Sequence, residues 1–466
     1  MNDQFTKFCW LLAIAALSFL LALNHYYVGE EAIFPISSLE MWQHGVWLKQ
    51  YMYGQDMQHN PLFNWLIMPV AALAGWSHVL VVTRMLTIVA TLATAATLAW
   101  LSNRLFQDRT FAAFAALAYL SMADVLLYHG WLGYVDPLFA LFIFAAVATL
   151  WVAALEQRIS LLALAGLLIT LAFLSKAFTA YVFYGTALFV LLFAARLRGF
   201  LLSGRALLLH VAVFVAPMLW LALIPHGSAQ GGRMFAEILQ KLSLIDLKAY
   251  VVRLFSYPLE ILLWLSPIAA LALYSLVRKR NAPDEGAARL QFRLAAWMVL
   301  LQFAPYWLVP QGGMRYLIPI YPLFALLASR LVWQSGMSAR VAAQRWFGAI
   351  LTLNIVVAVA AFPYYQSHYR GKNYHDTAID ILQLAQDRPL YVTDVSAAGL
   401  SVTGYIDQRI YPHPALQWPP AQWSSGYVIA HTADATLGTI YKKYRLGGDE
   451  LFLLCRGDAC GSAAQP

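Results

Sequence analysis

One apolar run follows another along the first 362 residues, and that succession leaves few folds open to the chain. A helix that crosses a bilayer needs about 20 largely apolar residues. Runs of this kind lie near 8–23, 81–101, 111–128, 136–155, 160–175, 178–195, 206–224, 258–277, 294–309, 316–333 and 346–362. Of the 466 residues, 61% are hydrophobic and 12% charged. A soluble domain carries roughly a quarter charged residues, and a soluble fold of this composition would expose a large apolar surface. The expectation is an all-α polytopic membrane protein with about eleven transmembrane helices.

The net charge of +8 does not point to nucleic acid. The bases cluster between apolar runs: Arg104 with Arg109; Arg158; Arg196, Arg198 and Arg205; Arg278, Lys279, Arg280, Arg289 and Arg293; Arg340 and Arg345. Two runs separate each cluster from the next, so all five fit on the cytoplasmic side, where Lys and Arg are retained. The N-terminus falls on that side too. The residues after Leu23 are bulky rather than small, so the first run reads as an uncleaved span.

This topology leaves outer segments at 24–80, 129–136, around Lys176, at 225–258 and at 310–316. Leu62 to Trp76 is apolar but short, and reads as an interfacial or re-entrant piece of the long first outer loop. Met234 to Leu247 has an amphipathic pattern. From Tyr364 the composition turns polar. A helical pattern at Asp376–Gln386 and strand-like runs at Leu390–Thr393, Tyr427–Ala430 and Leu451–Leu454 predict a small extracytoplasmic α/β domain, so the chain divides into 1–362 and 363–466. Cys9 reads as core. Cys455 and Cys460 form a disulfide if that end is outside the cytoplasm and stay two thiols if it is inside.

Charged side chains at membrane depth are rare and usually functional or paired. Those on the outer side are Glu30, Glu31, Asp136, Lys176 and Arg315, with Glu40 and His59 near them. Glu30 and Glu31 suit a general base that deprotonates an attacking hydroxyl or amine; the plainer alternative is an interfacial pair at a helix end. Asp136 heads a helix, where capping alone also accounts for it. Lys176 either snorkels to the interface or binds a lipid phosphate. Arg315 follows two glycines that let a ligand approach the backbone, and its fork suits phosphate. No Walker loop, nucleophile elbow or Cys/His metal cluster is present.

These residues resemble a family. Glu30 to Met41 is similar to the first-loop motif Asp-Glu-Ala-Arg-Tyr-Ala-Glu-Ile-Ser-Arg-Glu-Met of GT-C class membrane glycosyltransferases, especially the aminoarabinose transferases of lipid A and the protein O-mannosyltransferases. His59-Asn60-Pro61-Leu62 resembles their Glu-Lys-Pro-Pro-Leu or His-Pro-Pro-Leu segment. Val135-Asp136-Pro137-Leu138, Leu174-Ser175-Lys176 and the run Arg315-Tyr316-Leu317-Ile318-Pro319-Ile320-Tyr321-Pro322 resemble three further motifs in the same order. The resemblance spans most of residues 1–335.

It implies a GT-C fold and an inverting hexosyl- or pentosyltransferase. The donor would be a polyprenyl-phosphate sugar, and the acceptor an envelope lipid, lipid A, glycan or protein. By position Glu30, Glu31 and Asp136 would be catalytic. Lys176, Arg315 and Tyr316 would hold donor phosphate, and Glu40, His59 and Asn60 would belong to the substrate loop. Some such enzymes use a divalent metal at first-loop acids, which Glu30 and Glu31 permit without showing it; no other cofactor is implied. Ile33 and Asn60 stand where the aminoarabinose motif has Arg and Lys, which implies a different donor or acceptor. The expected place is a bacterial inner membrane, with the site facing the periplasm. A lipid-linked saccharide flippase and a non-catalytic lipid-sugar binding paralogue are the alternatives; a flippase would want polar groups deep in several helices.

Overall fold

The structure is a computed structural model that describes residues 3–57, 59–225, 227–243, 246–278 and 284–462. Lys279 and Arg280 of the fourth basic cluster lie outside these residues.

The chain opens with α1 (Asp3–Ser18), which a 3₁₀ turn carries on to Ala22. The outer segment that follows holds α2 (Ile33–His44), a hairpin of β1 (Tyr51–Met52) and β2 (Gln55–Asp56), and α3 (Leu62–Ala74). Glu30 to Met41 is thus a short turn running straight into a helix rather than an extended loop. At 1.5 Å per residue, α3 is about 20 Å long, too short to span.

The bundle continues through α4 (Val79–Phe106), α5 (Arg109–Leu120), α6 (Asp136–Glu156), α7 (Ile159–Ser175), α8 (Thr179–Leu192), the short α9 (Ala195–Leu201) and α10 (Gly204–Leu223). Next come α11 (Gly227–Leu242), α12 (Leu247–Trp264), α13 (Ile268–Val277), α14 (Gly286–Leu308), a 3₁₀ segment Met314–Ile320, α15 (Tyr321–Gln334) and α16 (Met337–Val356).

Among the described residues, six helical stretches are long and apolar enough to cross a bilayer, and the bent pair α12–α13 makes a seventh. The expected count of eleven is not reached on that measure. Arg109–Leu120, Ile159–Ser175 and Thr179–Leu192 are apolar but shorter, at 10–17 residues. The amphipathic segment forms α11, which starts earlier than expected and leaves Phe235, Leu239 and Leu242 exposed. Cys9 is exposed on the outside of α1, not in the core.

The two ends of the bundle differ. Arg104 Nη1 meets Glu156 Oε1 at 2.8 Å, so α4 and α6 end together at the basic end. Asp136 begins α6, and 21 helical residues put it about 32 Å from that end.

Past α17 (Phe362–His368) the polar region folds as α18 (Lys372–Ala385), β3 (Leu390–Val392), α19 (Ala397–Ile410), β4 (Gly426–Ala430), β5 (Thr439–Leu446) and β6 (Asp449–Arg456). The strands form one sheet in the order β3-β4-β6-β5, with β3 parallel to β4 and the other pairs antiparallel. Cys455 and Cys460 are disulfide-bonded. Its α19 lies on α2: a Cβ on Gly404 would stand 3.1 Å from the Ala32 Cβ and from the Tyr27 ring.

Candidate active site

The turn from Leu23 to Ala32 is held by a residue that sequence reasoning passed over. Arg84 is the sole charged side chain in the run 81–101, and it is fully buried. Its Nε donates to Glu31 Oε1 and its Nη2 to Glu31 Oε2, both at 2.7 Å. Nη1 also reaches the carbonyls of Ala22, Leu23 and His25, and Nη2 that of Tyr26. The backbone N–H groups of Gly133 and Val28 complete the Glu31 carboxylate at 2.7 and 3.2 Å. Glu31, expected beside Glu30 as a second catalytic acid, is therefore sealed at 0% exposure and ties the turn to the bundle. A lone charge within an apolar run was the signal available.

Glu30 points the other way. Gly29 has φ +58°, the left-handed region that glycine enters freely. A Cβ there would meet the Tyr134 hydroxyl at 2.7 Å. That hydroxyl accepts from Glu30 N and donates to Val28 O, both at 3.2 Å. The turn delivers the Glu30 carboxylate, 51% exposed, to Arg315: Nη1 donates to Oε2 at 3.2 Å.

Glu30, His59, Asp136, Lys176, Arg315 and Tyr316 line one cavity of about 100 Å³ with Lys241. Lys176 ends α7 and donates to Asp136 Oδ1 at 2.5 Å. Its ammonium stands 5.0 Å from the Tyr316 ring centroid and 5.7 Å from that of Phe139. Lys241, from the end of α11, lies 4.3 Å from the same Tyr316 ring, and Arg315 5.6 Å. Three cations thus surround one phenol, a contact worth most when water is excluded. Lys241 was not singled out from sequence, because α11 reads as an ordinary amphipathic helix. The end of α11 is tied to the turn before Arg315, where Gln311 N donates to Lys241 O at 3.2 Å.

Two more expected residues lie elsewhere. Glu40 is buried, and it accepts from the N–H groups of Tyr53 (2.6 Å) and Gly54 (3.1 Å), so it closes the β1–β2 hairpin rather than touching the cavity. Burial pushes its carboxyl up to about 7, against the pull of those two donors. Asn60 donates to Phe173 O at 2.8 Å and accepts from Trp220 Nε1 at 3.2 Å, which joins α7 to α10 just below Lys176. His59 does line the cavity, stacked 6.4 Å from Phe34.

Among the described residues no three His, Cys, Asp or Glu side chains stand close enough to hold a metal ion. Both cavity carboxylates already face cations, so this donor set does not fit a divalent metal. A separate groove of about 310 Å³ between α12, α14 and α15 is almost wholly apolar. Leu317 and Tyr321, from the segment that follows Tyr316, form part of its wall.

Comparison with known proteins bears on the fold. Residues 58–220 match a family described as dolichyl-phosphate-mannose-protein mannosyltransferase. No curated protein matches the chain. Among solved structures, ArnT from Cupriavidus metallidurans bound to undecaprenyl phosphate superposes with a TM-score of 0.69 at 14% identity, over 99% of this chain and 98% of that one. AglB from Archaeoglobus fulgidus, in complex with an inhibitory peptide and a dolichol-phosphate, superposes with a TM-score of 0.54 at 12% identity, over 91% and 69%. The fold is that of the GT-C class of membrane glycosyltransferases, of the ArnT and mannosyltransferase type.

Proposed function

We propose that this protein is a membrane glycosyltransferase that moves a sugar from a polyprenyl-phosphate carrier to an acceptor of the cell envelope. The observation that carries the reading is convergence. Glu30, Asp136, Lys176 and Arg315 come from four separate parts of the chain and line one cavity, and the segment that follows Tyr316 walls an apolar groove. Among the described residues, the cations Lys176, Lys241 and Arg315 and the carboxylates Glu30 and Asp136 share the cavity lining, a set able to face a lipid phosphate.

In this reading the prenyl chain lies in the groove lined by Leu317 and Tyr321, and the phosphate faces Lys176, Lys241 and Arg315. The Glu30–Arg315 pair is half-exposed on both sides, and such pairs contribute only about 0–1 kcal/mol. An arriving phosphate therefore competes cheaply for Arg315 and frees Glu30. The Glu30 carboxylate takes the proton of the acceptor nucleophile. The nucleophile bonds to the anomeric carbon as the bond from that carbon to the phosphate oxygen breaks. The electron pair leaves on polyprenyl phosphate, where the cations stabilise it. A single displacement of this kind inverts the anomeric centre. Asp136, neutralised by Lys176, positions that ammonium.

Residues 1–362 would form the transferase unit and 363–466 an outer domain. The basic end of the bundle would face the cytoplasm, and the cavity would then lie on the periplasmic side of an inner membrane. The test is a Glu30→Gln variant in a deletion strain, with mass spectrometry of the lipid and glycan fractions. Loss of one sugar from an envelope component in both the deletion and the variant is expected. Full activity of the variant would remove Glu30 as base.

A further inference from the structure

The basic end of the bundle holds a second concavity that the transfer reaction does not use. The span formed by α12 and α13 bends by 109°. The break at Ser266–Pro267 is pinned by Ala123 N, which donates to Ser266 O at 2.9 Å. Because α13 has only ten residues and turns away from α12, it leaves a gap against α16. Two cavities occupy that gap, of about 540 and 400 Å³, and they share Leu271 and Trp346. They form one continuous groove.

The groove is graded along its length. Its inner part is walled by Leu127, Leu263, Ile350 and Leu353. Its outer part is lined by Tyr274, Ser275, Ser335 and Ser338 among apolar residues, with the Ser335 hydroxyl donating to Leu331 O at 2.9 Å. Both helices change from apolar to polar in the same direction: Leu271 to Ser275 on α13, and Leu353 back to Ser338 on α16. The polar part opens at the basic end. There Trp333, at the close of α15, packs on Phe111 at the start of α5, with ring centroids 5.6 Å apart.

The mouth is cationic. The Arg278 guanidinium stands 5.4 Å from the Tyr274 ring at that end, and Arg345 is exposed further along α16, next to Trp346 where the two cavities meet. Neither is ion-paired among the described residues. Arg340 is folded onto the Trp333 ring at 3.8 Å, and the nearby Asp284 is taken by Arg330. An exposed Trp and an exposed Tyr, Trp346 and Tyr274, mark the depth of a membrane interface.

We infer that this groove is a binding site for one anionic phospholipid of the leaflet opposite the catalytic cavity. An acyl chain fills the apolar part, the glycerol region meets the serine hydroxyls, and the headgroup phosphate faces Arg278 and Arg345. Basic pockets between helices on the cytoplasmic side are suited to such headgroups. The inference goes beyond the transferase reading and does not rest on it.

Native mass spectrometry of the full-length protein, titrated with phosphatidylglycerol or phosphatidylcholine, tests it. The expected result is one retained phosphatidylglycerol, at several-fold higher occupancy than phosphatidylcholine. A double variant, Arg278→Gln with Arg345→Gln, should bring the two lipids to equal occupancy. Ala339→Trp, which fills the polar part of the groove, should remove the retained lipid. If Ala339→Trp does not fold, the double variant decides alone, since both arginines are exposed. Equal occupancy of the two lipids in the wild type, or unchanged selectivity in the double variant, overturns the site. Titration with undecaprenyl phosphate alone should give the same affinity in all folded variants; weakened binding there in the double variant would show that the arginines serve the catalytic lipid, and would also overturn the inference.

Discussion

Arg84 and Glu31 form a two-pronged ion pair, both prongs at 2.7 Å, in a place sealed from solvent between α4 and the first outer turn. Two residues that look interchangeable in sequence, Glu30 and Glu31, therefore sit in opposite surroundings, one half-exposed and one sealed.

Removing one partner of a buried pair leaves the other charge uncompensated, which destabilises by about 3–5 kcal/mol. Glu31→Gln should lower the unfolding midpoint in detergent strongly. Glu30→Gln, which breaks only a half-exposed pair, should change stability by less than about 1 kcal/mol. Thermal unfolding of the two variants side by side checks this. Equal losses would mean that the two acids share one role.

If Glu30 is the base, its amide variant should lose roughly 10²–10⁴-fold in turnover. Binding of polyprenyl phosphate should persist, because Arg315 is then released from its carboxylate. Glu30→Asp should recover part of the rate, limited by a retreat of about 1 Å from the nucleophile. A turnover assay combined with lipid-binding titration separates these effects.

Lys241→Met should weaken polyprenyl phosphate binding by roughly 10–100-fold, the range of one lost charge-assisted bond. The fold should hold, since the Lys241 contact to Gln311 uses its backbone oxygen. Unchanged affinity would take Lys241 out of the phosphate site.

Glu40 makes stability depend on pH. Its carboxyl is raised from 4.5 to about 7 by burial. The folded state then binds more protons than the unfolded state between these values, so stability falls as pH rises from about 4.5 to about 7. The difference amounts to at most about 3 kcal/mol. Asp407 acts in the same sense, raised by burial against the Leu416 N–H, with a further push from Glu40. Glu40→Gln should flatten the midpoint-against-pH curve over that window. A wild-type midpoint that rises over it would reverse the assignment.

Gly404→Val should lower turnover while the outer domain stays folded. The new side chain would press on Ala32 and Tyr27, and Tyr27 N also donates to the Tyr405 hydroxyl at 3.0 Å. The turn bearing Glu30 would shift, so kcat should fall more than lipid affinity does. Hydrogen exchange at residues 27–34 should rise in parallel.

Element type was legible wherever the pattern was long. The apolar runs, the α18 helix and three of the four strands of the outer sheet could be read from periodicity and composition. The strand Thr439–Leu446 was missed because it is exposed at the sheet edge and rich in charged residues, so no alternation marks it. The helix Ala397–Ile410 was missed because its small and β-branched residues carry little helical signal; its burial comes from packing on α2 and α18.

At the site, chain order alone put Glu30, Asp136, Lys176 and Arg315 on one side of the bundle, because each closes or opens a span and spans alternate direction. That is a counting result and needs no contacts. Which acid meets which cation was beyond such counting. Glu31 faces Arg84 because Gly29 turns left-handed against Tyr134 and swings adjacent carboxylates apart. Asn60 and Glu40 serve backbone groups because burial obliges polar atoms to find nearby partners. Lys241 reaches Tyr316 only because α11 is tied to the turn at Gln311. Hydropathy acts residue by residue and so can be read along a line; pairing depends on distances between side chains far apart in the chain, and only the folded bundle sets those.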